Sequence, residues 1–195
     1  MDPVFERIHE HVRTVLGPAG SHGLDHIERV TSMCRRIGQE EGADMAILIP
    51  AALLHDIARP LERDRGLRHE REGARMAEEF LTSLPYPPEC IPAIAHAIRA
   101  HRFRSSERPA TLEARILSDA DKLDAMGAIG IARTFMRAAE HHGTMEDAIS
   151  HFHDKLLNLS GLMYTDTARE IAAERHALLS RYLAALEEER ETRGP

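Results

Sequence analysis

Leu24, Ile27, Val30, Cys34 and Ile37 recur at steps of three and four. This is the rhythm of a helix that buries one face, and it returns along most of the chain. Nowhere do apolar and polar residues alternate over a run long enough for a strand. Aromatic residues make up 4% of the chain and tryptophan is absent, so a core must come from Leu, Ile, Ala and Met. Those residues suit helices better than sheets. The pattern predicts an all-α protein with about eight or nine helices. At 195 residues and 43% hydrophobic, the expectation is one compact multi-helix domain spanning 1–195.

Breakers and caps place the helices. Pro3 suits a first turn and Gly17-Pro18 stops the helix after Leu16. Ser21 can cap a second helix, which Gly42 ends. Asp44 opens an apolar helix over Met45 to Ile57, in which Pro50 marks either a kink or the true start. Leu61 to Arg68 reads as a charged loop, followed by a helix from about His69 to Leu84 and a turn at Pro85-Tyr86-Pro87-Pro88. Further helices are expected at about Ile91–His101, Leu112–Asp124, Gly127–His142, Thr144–Leu159 and Asp166–Glu189. The last, rich in Leu, Ala and Glu, could pack on its own domain or on a second subunit, so monomer and homodimer both stay open.

A net charge of −7 argues against coating a nucleic-acid polymer or an anionic membrane. Two cysteines, Cys34 and Cys90, make no disulfide framework, and no apolar stretch reaches the ~18 residues of a membrane span. The N-terminus carries no signal-like apolar run, so a cytoplasmic location is expected.

Three short segments can carry chemistry. Leu53-Leu54-His55-Asp56-Ile57 sets an imidazole beside a carboxylate at the end of a hydrophobic helix. Such groups are costly to bury unless paired or ligating a metal. His55 could instead cap carbonyls while Asp56 forms a surface ion pair. In Ser21-His22-Gly23-Leu24-Asp25-His26, His22 and His26 are four apart and share a helix face, and His26 borders the apolar stripe. It reads as a ligand or as a core-edge histidine bonded to a carbonyl. Ser118-Asp119-Ala120-Asp121-Lys122-Leu123-Asp124 packs three acids into an apolar helix, where at least one carboxylate is pushed inward. A solvated face is the simple alternative for Asp119 and Asp124.

The ordered set His26, His55-Asp56 and Asp121 resembles the signature of the HD-domain superfamily of metal-dependent phosphohydrolases. The similarity extends through "HGLDHIERV", "AALLHDIARP", "RHEREGARMAEEF", "IAHAIRAHRF" and "SDADKLDAMGAIGIARTF". The last two pieces most resemble a bacterial subgroup containing deoxynucleoside triphosphate pyrophosphohydrolases. The resemblance implies that His26, His55, Asp56 and Asp121 hold one divalent ion. Two imidazoles and two carboxylates suit Mn²⁺, Fe²⁺, Co²⁺, Ni²⁺ or Zn²⁺ better than Mg²⁺.

Around that set, Lys122 and Arg59 are candidate phosphate-binding groups, with a surface ion pair to Asp119 or Asp124 as the alternative for Lys122. His22, His96, Arg63 and Arg68 are further substrate-binding candidates, and Arg65 belongs to the same loop. Some HD nucleotidases carry a glutamate three residues after the HD pair. Arg59 stands there in this chain, which puts that subgroup's mechanism and monophosphate substrates in doubt. His69 and His101 fall where di-metal HD proteins have ligands for a second ion, so they are either such ligands or proton-transfer groups beside one metal. The expected reaction is hydrolysis of a small nucleotide-like substrate, preferably a nucleoside triphosphate to monophosphate and pyrophosphate. The rivals are a di-iron oxygenase on the same scaffold, a non-catalytic nucleotide sensor and an alarmone hydrolase. The last lacks its extra acidic residues here.

Overall fold

The computed structural model describes residues 3–16, 23–103 and 105–191. Among them are ten α-helices, one 3₁₀ helix and no strand, so the fold is all-α. In chain order the α-helices are α1 (Pro3–Leu16), α2 (Leu24–Glu41), α3 (Met45–Leu54), α4 (Arg59–Arg65), α5 (His69–Thr82), α6 (Ile91–Ala100), α7 (Leu112–Asp124), α8 (Gly127–Glu140), α9 (Met145–Asp154) and α10 (Asp166–Glu191). The 3₁₀ helix, Leu156–Leu162, lies between α9 and α10. The chain forms two compact units, Met1–Asp121 and Lys122–Pro195. No described helix is long and apolar enough to cross a membrane.

The first unit is arranged around α3. Every residue from Leu48 to Leu54 is buried, and the helix packs against α1, α2, α5 and α6. Asp44 caps its start by accepting from the Ala46 N–H at 2.8 Å. Pro50 stays inside α3 and removes one helical donor, the one that would reach the carbonyl four residues back. That carbonyl belongs to Ala46, and the Tyr86 hydroxyl donates to it. Tyr86, from the proline-rich turn, therefore supplies the hydrogen bond that Pro50 cannot. α2 buries the apolar stripe read from the sequence, including Ile27, Val30, Cys34 and Ile37, and ends at Gly42. Gly42 takes the left-handed conformation (φ 74°) that favours glycine. Ser21, expected to cap this helix, lies outside the described residues.

Two expectations need correction. The charged segment after Pro60 is mostly a helix, α4, rather than a loop. Pro60 sits in its first turn, Arg59 pairs with Glu62 one turn on, and Gly66 closes it with an N–H to the Glu62 carbonyl. A seven-residue helix without an apolar stripe leaves no periodic signal. The expected helix Thr144–Leu159 instead breaks at Lys155 (φ −135°, ψ −60°) and continues as the 3₁₀ helix.

The second unit packs α8, α9, the 3₁₀ helix and α10 around Phe152, which lies 6.1 Å from both the Phe135 and Tyr182 rings. Thr144 and Asp147 form a capping box at the start of α9. α10 rests on α8 and the 3₁₀ helix and buries Ala168, Ile171, Ala172, Leu179 and Leu183.

Candidate metal centre

The first unit gathers five helix ends and faces onto one carboxylate. α3 stops at Leu54, so His55 is its C-terminal cap and Asp56 falls in the turn beyond. Both are fully buried. His26 arrives from the first turn of α2, His69 opens α5, His101 caps the end of α6, and Asp121 sits late on α7.

The two oxygens of Asp56 face different partners. Oδ2 lies 3.6 Å from His26 Nε2 and 3.8 Å from His55 Nε2. Those two nitrogens are 3.3 Å apart, and Asp121 Oδ1 is 3.5 Å from His26 Nε2. Oδ1 lies 3.5 Å from His69 Nε2, 3.6 Å from His101 Nε2, and accepts from Arg59 Nε at 2.9 Å. Among the described residues, His26-His55-Asp56 and Asp56-His69-His101 are the groups close enough to hold a metal ion.

His55 and His101 are fixed by the same device. Each donates Nδ1–H to the carbonyl three residues earlier, Ala52 at 2.7 Å and Ile98 at 2.6 Å. In the neutral rings the proton is thereby placed on Nδ1, and in both residues Nε2 faces Asp56. His55 is thus both the helix cap and the inward-facing group that the sequence offered as alternatives. Ser118 adds a brace, its hydroxyl donating to the His101 carbonyl at 3.1 Å.

Burial disfavours a charged imidazole. It pushes His55 down to about 3, with His101 and His26 acting in the same direction. Burial, then Arg59, pushes His69 down to about 4. Both are neutral near pH 7, the form that ligates metal. Burial lowers His101 as well, but the Asp56 carboxylate outweighs it and the net shift is upward. Burial would raise the Asp121 carboxyl, yet His26, His101 and His55 hold it well below the ordinary carboxylate range.

The residues fit a divalent ion. Ligand atoms ~2.1 Å from a first-row ion stand ~3.0 to 3.4 Å apart in octahedral and tetrahedral geometry. The 3.3 to 3.8 Å spacing of the His26, His55 and Asp56 atoms requires only a small contraction, while Asp121 stands outside this close group and approaches it through His26 Nε2 at 3.5 Å. Both ring nitrogens of His69 and the Nε2 of His101 are buried with no hydrogen-bond partner, a costly state for polar groups that marks the other side of Asp56 as a place for a further polar partner.

The remaining candidates fall elsewhere. His96 does not supply an open nitrogen. Its Nδ1 lies 2.7 Å from Glu107, while Nε2 accepts from the Ala110 N–H at 3.0 Å. It fastens the segment after α6. Arg68 pairs with the buried Glu70 at 3.2 Å. Lys122 is 6% exposed rather than on the surface, and its ammonium lies 4.7 Å from the centre of the Tyr164 ring within the second unit. Asp119 and Asp124 are buried too, which sets aside the alternative of a solvated face, and Arg133 donates to Asp124. His22 and the side chain of Arg63 lie outside the described residues. Sequence reasoning missed Glu62 and Glu70. The three-residue step from Arg59 to Glu62 was the available signal, and it was read as loop.

The HD domain family model matches residues 23–126, which include every residue of this cluster. The chain belongs to the HD-domain family. It is 36% identical over 193 residues to the uncharacterized protein YpgQ of Bacillus subtilis, covering 94% of this chain and 92% of that one. The crystal structure of YpgQ in complex with ADP superposes with a TM-score of 0.80 at 34% identity, over 95% of this chain and 97% of that chain. A predicted HD-superfamily hydrolase from an uncultured Thermotogales bacterium gives a TM-score of 0.75 at 30% identity, covering 96% of this chain and 93% of that one. Ribonuclease Y of a Sulfurovum species is 30% identical over 106 residues, 54% of this chain but 19% of that enzyme.

Proposed function

We propose that this chain is a metal-dependent phosphohydrolase that cleaves a nucleoside triphosphate to monophosphate and pyrophosphate. The observation that carries the reading is the Asp56 carboxylate, fully buried and faced by four imidazole Nε2 atoms at 3.5 to 3.8 Å. His26, His55, Asp56 and Asp121 would hold one divalent ion. Such an ion, when bound, lowers the pKa of water and polarises a phosphoryl group. His101 and His69 face the other oxygen of Asp56 and would exchange protons with water or substrate. Arg59, braced between Asp56 and Glu62, presents positive charge to a phosphate at the same edge. The ADP bound by YpgQ and the net charge of −7 here favour a small nucleotide over a polymer. Lys122 remains a phosphate-binding candidate by its place beside Asp121.

A second ion through Asp56, His69 and His101 is the reading a di-iron oxygenase requires, and their proximity favours it. Against it, Arg59 Nε already binds Oδ1 of Asp56 at 2.9 Å, so a guanidinium supplies positive charge there. We therefore prefer one ion. The deciding experiment offers deoxynucleoside triphosphates to metal-stripped protein reloaded with Mn²⁺, and resolves the products. Pyrophosphate and monophosphate from the wild type, and none from Asp56→Ala, support the reading. No turnover of any nucleotide by the reloaded wild type overturns it.

A further inference from the structure

Asp56, Arg59, Glu62 and His69 close a ring of four contacts. Arg59 Nε donates to Asp56 Oδ1 at 2.9 Å, and Arg59 Nη1 donates to Glu62 Oε2 at 2.8 Å. The same Oε2 lies 2.9 Å from His69 Nδ1, and His69 Nε2 returns to within 3.5 Å of Asp56 Oδ1. Two bases are thus held between two carboxylate oxygens. Arg102 Nη1 approaches the second Glu62 oxygen at 3.4 Å.

The ring sets His69 apart from its neighbours. His55 and His101 cap the ends of helices, and the carbonyl three residues back fixes each ring. His69 is the first residue of α5 and follows a non-helical segment, so no preceding helical turn can supply such a carbonyl. A Glu62 carboxylate oxygen stands there instead, carried by α4, as a close ion-pair approach rather than an aligned hydrogen bond. An anionic oxygen at Nδ1 favours the proton on that nitrogen, and leaves Nε2 as an acceptor beside Asp56.

We propose that Glu62 is the positioning residue of this centre: it fixes the tautomer and direction of His69 and anchors Arg59 against Oδ1 of Asp56. Oδ2 is then left to His26, His55 and the ion. This rests on the one-ion reading above. Glu62 touches neither the ion's ligands His26 and His55 nor, on this account, the reacting atoms. Its effect passes through His69 and Arg59.

The test uses the full chain with Mn²⁺ and the variants Glu62→Gln and Glu62→Ala. Expected are one ion per chain as in the wild type and a kcat lower by about 10- to 100-fold, the usual effect of losing such a partner, with KM raised as Arg59 loses its anchor. Added formate should restore part of the rate of Glu62→Ala. In ¹⁵N NMR of the ring nitrogens, His69 should be a single Nδ1-protonated tautomer in the wild type and a mixture in the variants. Unchanged kcat in both variants overturns the proposal, as does a loss that follows loss of the ion or of helical circular dichroism without formate rescue. An identical His69 tautomer in all three proteins also overturns it. If the wild type holds no ion or turns over no nucleotide, the functional reading has failed, and the NMR comparison still decides the role of Glu62.

Discussion

Lowering the pH should destabilise the metal-free protein well before its carboxylates protonate. His55 is held at about 3 and His69 at about 4, against an ordinary 6.5. Their folded values lie below their unfolded ones, so the unfolded chain binds more protons between those limits. The stability these neutral rings support is complete above 6.5 and is lost as the pH falls towards 4 and then 3. Integrated from about pH 7.5 to about pH 5, each ring accounts for roughly 2 kcal/mol, or about 4 kcal/mol together. His101 works in the other direction, because its folded value is raised and its stabilisation grows as the pH falls through that value. About 4 kcal/mol is therefore the upper bound. Asp121, held low, matters only below the ordinary carboxylate value of 3.8 and leaves this window untouched. The assay is urea unfolding in the presence of a chelator at the two pH values. His69→Leu, which cannot titrate, should reduce the difference by roughly 2 kcal/mol. Stability that is flat or rising from pH 7.5 to 5 would refute the account of His55 and His69 as buried neutral rings.

Other predictions follow from the same geometry. Mn²⁺ at about a hundred times its Kd should add ~2.7 kcal/mol and raise Tm by about 5 to 11 °C, read by differential scanning fluorimetry. Asp56→Ala should abolish that rise. Phe152→Ala, emptying the centre of the second unit, should cost about 3 to 5 kcal/mol in chemical unfolding. Gly130→Ala should also destabilise, because a Cβ there would stand 2.2 Å from the Ala125 carbonyl oxygen, a backbone atom that cannot simply swing aside. His96→Ala should lower stability by about 1 kcal/mol through the lost Glu107 and Ala110 bonds, yet leave kcat unchanged.

The helices that bury an apolar stripe could be read directly. α1 and α7 have the expected bounds, and α2 buries the residues named from its rhythm. The site was legible where chemistry conflicts with surroundings: His55-Asp56 at the end of an apolar helix, and His26 beside an apolar stripe. Less legible were contacts that depend on tertiary placement. α4 has no stripe, so Glu62 looked like one more charge in a charged segment. His96 and His101 share a helix in sequence, but only the one at the helix end has its Nδ1 taken by a backbone carbonyl and its Nε2 left facing Asp56. That at least one acid of the 118–124 segment turns inward was legible, but the packing that buries both Asp119 and Asp124 leaves no local mark. Tyr86 lies far along the chain from Pro50, and nothing in either segment announced that one would complete the other's helix.

The central claim is that one ion is held by His26, His55, Asp56 and Asp121. Its most direct test counts metal ions per chain by elemental analysis after equilibrium dialysis against Mn²⁺, for the wild type, Asp121→Ala, Asp119→Ala and His101→Ala, with circular dichroism confirming that each is folded. The account predicts one ion in the wild type, none in Asp121→Ala, and one retained in Asp119→Ala and His101→Ala. Two ions in the wild type falling to one in His101→Ala, or loss in Asp119→Ala with retention in Asp121→Ala, would contradict it.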